Sequence, residues 1–96
     1  MIEVRQTDDF AKWFKSLKDR QVRTRIQARI DHISLGNFGD CESVGGGVFE
    51  MRIHFGPGYR VYFVQRGTKI VVLLAGGSKQ TQSKDILKAK TLADNL

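Results

Sequence analysis

The stretch from Val48 to Lys79 constrains this chain most. It reads as two alternating segments, Val48–Phe55 and Tyr59–Arg66, followed by an almost wholly apolar one from Ile70 to Ala75. Gly56-Pro57-Gly58 and Gly67-Thr68 separate them, so the pattern predicts a three-stranded antiparallel meander. Side chains alternate faces along a strand. Phe49, Met51, Ile53 and Phe55 therefore share one face with Tyr59, Val61 and Phe63. Glu50, Arg52 and His54 share the other with Arg60, Tyr62, Val64 and Arg66. The apolar face needs a cover. The polar face is expected to stay open, bringing Arg52, His54, Arg60 and Tyr62 together.

The cover is predicted upstream. Phe10, Trp13, Phe14 and Leu17 recur at helical spacing, giving a helix from about Asp8 to Lys18, with Thr7 or Asp8 as its cap. Val22, Ile26, Ile30 and Ile33 form the stripe of a second helix, about Gln21 to Leu35, that stops at Gly36. The two make a helical hairpin. Ile2 to Gln6 and Cys41 to Val44 read as short strands, and Gly45-Gly46-Gly47 turns the chain into the meander. Ile70 to Ala75 lacks alternation, so it is expected to be covered on both faces and to end at Gly76-Gly77, read as a backbone bend rather than a phosphate cradle. A last helix starts at Thr81 or Ser83 and runs to about Asn95, with Ile86, Ala89, Leu92 and Ala93 inward. The expected fold is α+β: an N-terminal helical hairpin packed on a small twisted antiparallel sheet, with a C-terminal helix and helices mainly on one side. Residues 1–96 form a single domain.

Composition narrows the function. The net charge is +6, and residues 1–39 and 40–96 each carry eight Lys/Arg and five Asp/Glu, so the excess is spread over the body of the domain. Such a surface attracts polyanions, nucleic acid first; a solvated basic face or one made for an acidic protein are the alternatives. No apolar run is long enough for a membrane span and no signal peptide is expected, which places the protein in the cytoplasm. The single Cys41 has no intramolecular partner and is expected to be inert, and one Cys with two distant His argues against a structural zinc site.

Arg52-Ile53-His54-Phe55-Gly56-Pro57-Gly58-Tyr59-Arg60-Val61-Tyr62-Phe63, then Leu73-Leu74-Ala75-Gly76-Gly77-Ser78-Lys79-Gln80-Thr81-Gln82 and Asp85-Ile86, resemble the HigB-like branch of the RelE/ParE toxins, the phage Gp49-like addiction module killer proteins. The likeness covers nearly the whole chain. It implies the toxin of a type II toxin–antitoxin system: a ribosome-dependent mRNA endonuclease that needs no metal or cofactor. Its partners would be the ribosome, mRNA and a cognate antitoxin encoded nearby, a helix-turn-helix protein in this branch. Relatives that inhibit DNA gyrase without nuclease activity, or a decayed toxin that only binds antitoxin, are the alternatives.

The chemistry asks for groups that grip a phosphate and move protons. Arginine holds phosphate bidentately and never loses its charge. Arg60 matches the family's meander arginine, and Arg52 is the second choice. Lys79, just past the last strand, could serve phosphate or act as an acid. His54 can exchange protons near neutrality, and Tyr62 could bond phosphate or stack on a base. Arg60, Lys79, Arg52 and His54 are thus the expected catalytic set, with Tyr62 and Arg66 binding substrate. Each also has a bland reading as a solvated or packed surface residue.

Overall fold

The computed structural model describes residues 1–96 and bears out the α+β architecture. In order, the elements are β1 (Glu3–Gln6), α1 (Asp8–Ser16), α2 (Arg20–Ser34), β2 (Cys41–Gly45), β3 (Val48–Ile53), β4 (Tyr59–Arg66), β5 (Ile70–Ser78) and α3 (Gln82–Asp94). A short 3-10 turn, Lys79–Thr81, leads into α3. The five strands form one sheet in the order β1-β5-β4-β3-β2.

The helix starts follow local chemistry. Thr7 caps α1 by accepting from the Phe10 N–H, and its hydroxyl donates to the Leu74 carbonyl, fastening the helix start to β5. Asp19 accepts from the Gln21 N–H and caps α2. Phe10, Val22, Ile26, Ile30 and Ile33 then pack on Met51, Ile53, Val61, Phe63, Val71 and Leu73, so the helical hairpin covers the expected face. Phe49 and Phe38 each stack with Phe63, with ring centroids 5.7 Å from it.

The structure corrects the sequence reading in three places. First, the sheet is mixed. The meander is antiparallel, but β1 pairs parallel to β5, with Val4 opposite Val71. Glu3–Gln6 is too short for its direction to be read from alternation, and the hairpin that follows is long enough to carry the chain across. Second, β5 continues through Gly76 and Gly77 to Ser78, where those glycines pair with Val61 and Arg60. Third, the other face of the sheet is open only in part. α3 lies across it, and Val48, Tyr62, Val64 and Leu74 pack there with Ala89 and Ala93. Each face therefore has its own apolar cluster, which is why β5 is apolar without alternation.

Gly76 and Gly77 are needed for space. A Cβ on Gly76 would lie 2.2 Å from the Trp13 ring, and one on Gly77 would lie 1.8 Å from an Asp85 carboxylate oxygen. Both faces of β5 are thus approached closely at its end, by α1 and by α3. Gly76→Ala is expected to push the indole out of place and to cost about 2 kcal/mol, the scale of overpacking in a filled core. Trp13 is the sole tryptophan, so urea unfolding followed by its fluorescence reads both the lower midpoint and the altered native emission. An unchanged midpoint and spectrum would show that the ring does not need that space.

Candidate active site

The turn between β3 and β4 sets the site's geometry. Gly56 and Gly58 take positive φ values of 59° and 81° around Pro57, which closes the hairpin tightly. Counting outward from that turn, Ile53 faces Tyr59, Arg52 faces Arg60, and Glu50 faces Tyr62. Arg52 and Arg60 are direct cross-strand neighbours on the face away from the helical hairpin. α3 covers the Tyr62 end of this face and leaves the turn end open. There a cleft of about 570 Å³ is lined by Arg52, His54, Arg60, Lys79 and the turn itself. All four expected catalytic residues therefore line one cleft. Lys79 is held beside the turn because its backbone N–H donates to the Gly58 carbonyl at 2.8 Å.

The two arginines are not equivalent. Arg52 is engaged by its own chain. Its guanidinium bonds Glu42, reaches Glu50 at 3.2 Å and lies 3.9 Å from Asp40. The bonds to Glu42 and then Glu50 push its pKa further up. Arg52, the second choice for the site, therefore lines the cleft with its charge balanced in place. Arg60 is the opposite case. It is only 9% exposed, and its Nε is buried without a hydrogen-bond partner. Of the carboxylates nearby, Glu50 and Asp40 are engaged by Arg52 and His54, and Asp85, which approaches Gly77 opposite Arg60, accepts from the Thr81 hydroxyl. A buried N–H without an acceptor is costly, and the same residue lines the cleft, where an anion would meet its guanidinium.

His54 is exposed and its Nε2 lies 2.6 Å from Oδ2 of Asp40. That hydrogen bond holds the Asp40 carboxyl below the usual carboxylate range, with smaller help from Arg52 and Arg29. Asp40 itself is fixed through the backbone. Its carbonyl accepts from the Arg52 N–H at 3.0 Å, and Arg29 on α2 donates to the Arg52 carbonyl at 2.6 Å and the Phe38 carbonyl at 3.3 Å.

Two expected binding residues fall elsewhere. Tyr62 is wholly buried beneath α3, where its hydroxyl donates to Glu50 at 3.2 Å. Burial, then the charge of Glu50, pushes its pKa up. A base or phosphate in the cleft cannot reach it, because the apolar side of α3 needs that part of the sheet. Arg66 is exposed at the far end of β4 and donates to the Ala93 carbonyl at 3.4 Å. Six residues of strand put it about 20 Å from Arg60.

Sequence reasoning missed Glu50, Gln82 and Asp40. Glu50 is 1% exposed and accepts from Arg52, Tyr62 and, at 2.7 Å, the Gln82 amide on α3. Hairpin counting would have set Glu50 opposite Tyr62, a signal for a buried pair. For Asp40 there was no such signal, since it precedes β2 and meets His54 only in the folded chain.

The family model described as "Phage derived protein Gp49-like (DUF891)" matches residues 12–96. The chain is also 46% identical over 95 residues to an uncharacterized protein of Haemophilus influenzae, covering 99% of this chain and 96% of that one. No helix is long and apolar enough to cross a membrane. With the family match spanning nearly the whole chain, including every residue that lines the cleft, the chain belongs to the phage-derived Gp49-like proteins, a toxin-like family of addiction modules whose members imply an antitoxin partner.

Proposed function

We propose that this protein is the toxin of a type II toxin–antitoxin pair, of the RelE/ParE superfamily and its HigB-like branch, and that it cuts mRNA on the ribosome. The observation that carries the reading is Arg60: a nearly buried guanidinium with an unpartnered N–H, at the wall of an open cleft shared with Lys79 and His54. A surface made only to grip a protein does not need an unsatisfied cation held inside the sheet.

The reaction that fits is transesterification. The 2′-oxygen bonds to the adjacent phosphorus, the bond to the 5′-oxygen breaks, and a 2′,3′-cyclic phosphate and a 5′-hydroxyl result. One proton leaves the 2′-hydroxyl and one reaches the departing 5′-oxygen. Arg60 is placed to offset the charge that builds on the phosphoryl oxygens, and its fixed position makes that stabilisation effective. His54 and Lys79 are the proton-handling groups at the rim. Arg52, already neutralised, holds the local charge balance and the position of its carboxylates rather than gripping phosphate.

The antitoxin is expected to present an acidic segment to this cationic cleft. Inducing the protein in cells and mapping transcript 5′ ends tests the activity: new ends should appear within translated messages soon after induction. Intact messages, together with an SOS response and gyrase-linked DNA breaks, would instead assign the protein to the gyrase inhibitors.

A further inference from the structure

The Asp40–His54 pair has no assigned part in this chemistry. Its geometry is informative because an ionised carboxylate only accepts hydrogen bonds. With Oδ2 of Asp40 2.6 Å from Nε2, that nitrogen must carry the hydrogen. In the neutral ring this leaves the lone pair on Nδ1, which has no partner within the chain. The groups lining the cleft around His54 are Arg52, Arg60 and Lys79, all cations, while Arg29 and Arg52 stand near Asp40 on its other sides. Asp40 is therefore the carboxylate that orients the ring.

We infer that Asp40 is a positioning residue for the nuclease reaction: it fixes the His54 tautomer and turns Nδ1 toward the substrate to take the 2′-hydroxyl proton. The inference rests on the nuclease reading above. The proton passes from the 2′-oxygen to Nδ1 as the new P–O bond forms, and the resulting imidazolium is stabilised by the carboxylate behind it. A stability role does not account for the pair, because both side chains are largely in water and such surface pairs contribute little. The segment that carries Asp40 is nonetheless tightly set. A Cβ on Gly39 would come 2.7 Å from the Arg29 guanidinium, and Arg29 is what ties this segment to β3.

The test compares wild type, Asp40→Ala, Asp40→Glu and His54→Ala as purified full-length proteins acting on ribosomes carrying an mRNA. Asp40→Ala is expected to lower kcat about 10- to 100-fold, within the range general-base positioning contributes. KM should stay within about twofold and the melting temperature should not move, as for an exposed pair. Asp40→Glu, which can still reach the ring, should recover part of the rate. Imidazole ¹⁵N resonances of the free protein should show hydrogen on Nε2 of His54 in the wild type and a mixture of tautomers in Asp40→Ala. An active wild type with an equally active Asp40→Ala, or a tautomer that does not respond to Asp40, overturns the role given to Asp40 while leaving the nuclease reading standing. A wild type that does not cut RNA on ribosomes overturns the nuclease reading itself, and the role with it.

Discussion

Replacing Arg60 by alanine is expected to abolish toxicity while leaving the protein as stable as before, or more so. The two halves of that result have one cause. In the free protein the Arg60 Nε is buried with no acceptor, so that N–H bears a desolvation cost with no hydrogen bond to offset it. Alanine removes that penalty, and the loss of the packed aliphatic stem works against the gain. The proposed nuclease reaction, by contrast, loses the cation assigned to the phosphorane. Removal of a single preorganised donor typically costs about 10²- to 10³-fold in rate. Arg60→Lys keeps the charge but not the planar fork and is expected to recover only a small part. Growth after induction, transcript end mapping and thermal melts of the purified variants check the result together. A folded Arg60→Ala that still arrests growth would remove Arg60 from the mechanism. A variant that fails to fold would show the residue to be structural after all.

The second large effect falls on stability. Glu50 sits at the junction of β3, β4 and α3 and accepts hydrogen bonds from Arg52, Tyr62 and Gln82 while almost fully buried. Glu50→Ala leaves a buried phenol without an acceptor, strips Arg52 of its innermost partner and frees the first turn of α3. Breaking a buried charged network by deleting one member costs about 3–5 kcal/mol. A domain of this size has only about 5–15 kcal/mol in total. The midpoint of thermal unfolding should fall by more than about 12 °C, at roughly 4–8 °C per kcal/mol. Glu50→Gln keeps an acceptor for Tyr62 and should lose much less. Melts within about 2 °C of each other for wild type and Glu50→Ala, on that same scale, would show that the network contributes little.

The parts of the molecule governed by short-range rules were readable from the residues. Helix stripes such as Val22, Ile26, Ile30 and Ile33 and the alternation through β3 and β4 follow from local periodicity, and both faces came out correctly divided. The convergence of Arg52, His54 and Arg60 was also foreseeable, because a tight hairpin turn converts spacing into register; Lys79 was named through the family resemblance instead. What escaped depends on tertiary placement. Tyr62 alternates with the core residues of β4, so it looked exposed; it is buried because α3 returns over that half of the sheet. Arg52 looked like a free charge because Glu42 and Asp40 reach it from an adjoining strand and loop. Gly77 looked like a strand end, and only the approach of Asp85 explains why a side chain is excluded there.

The parallel pairing of β1 with β5 has a consequence for how the protein comes into being. Val4 is synthesised well before its partner Val71, with both helices and three strands made in between. Contacts so distant along the chain close slowly and late. During translation β1 must wait, unpaired, until the β4–β5 hairpin emerges. Lys79 follows β5 directly, so the newborn polypeptide completes its cationic cleft only once β5 has been made, well after Arg52, His54 and Arg60.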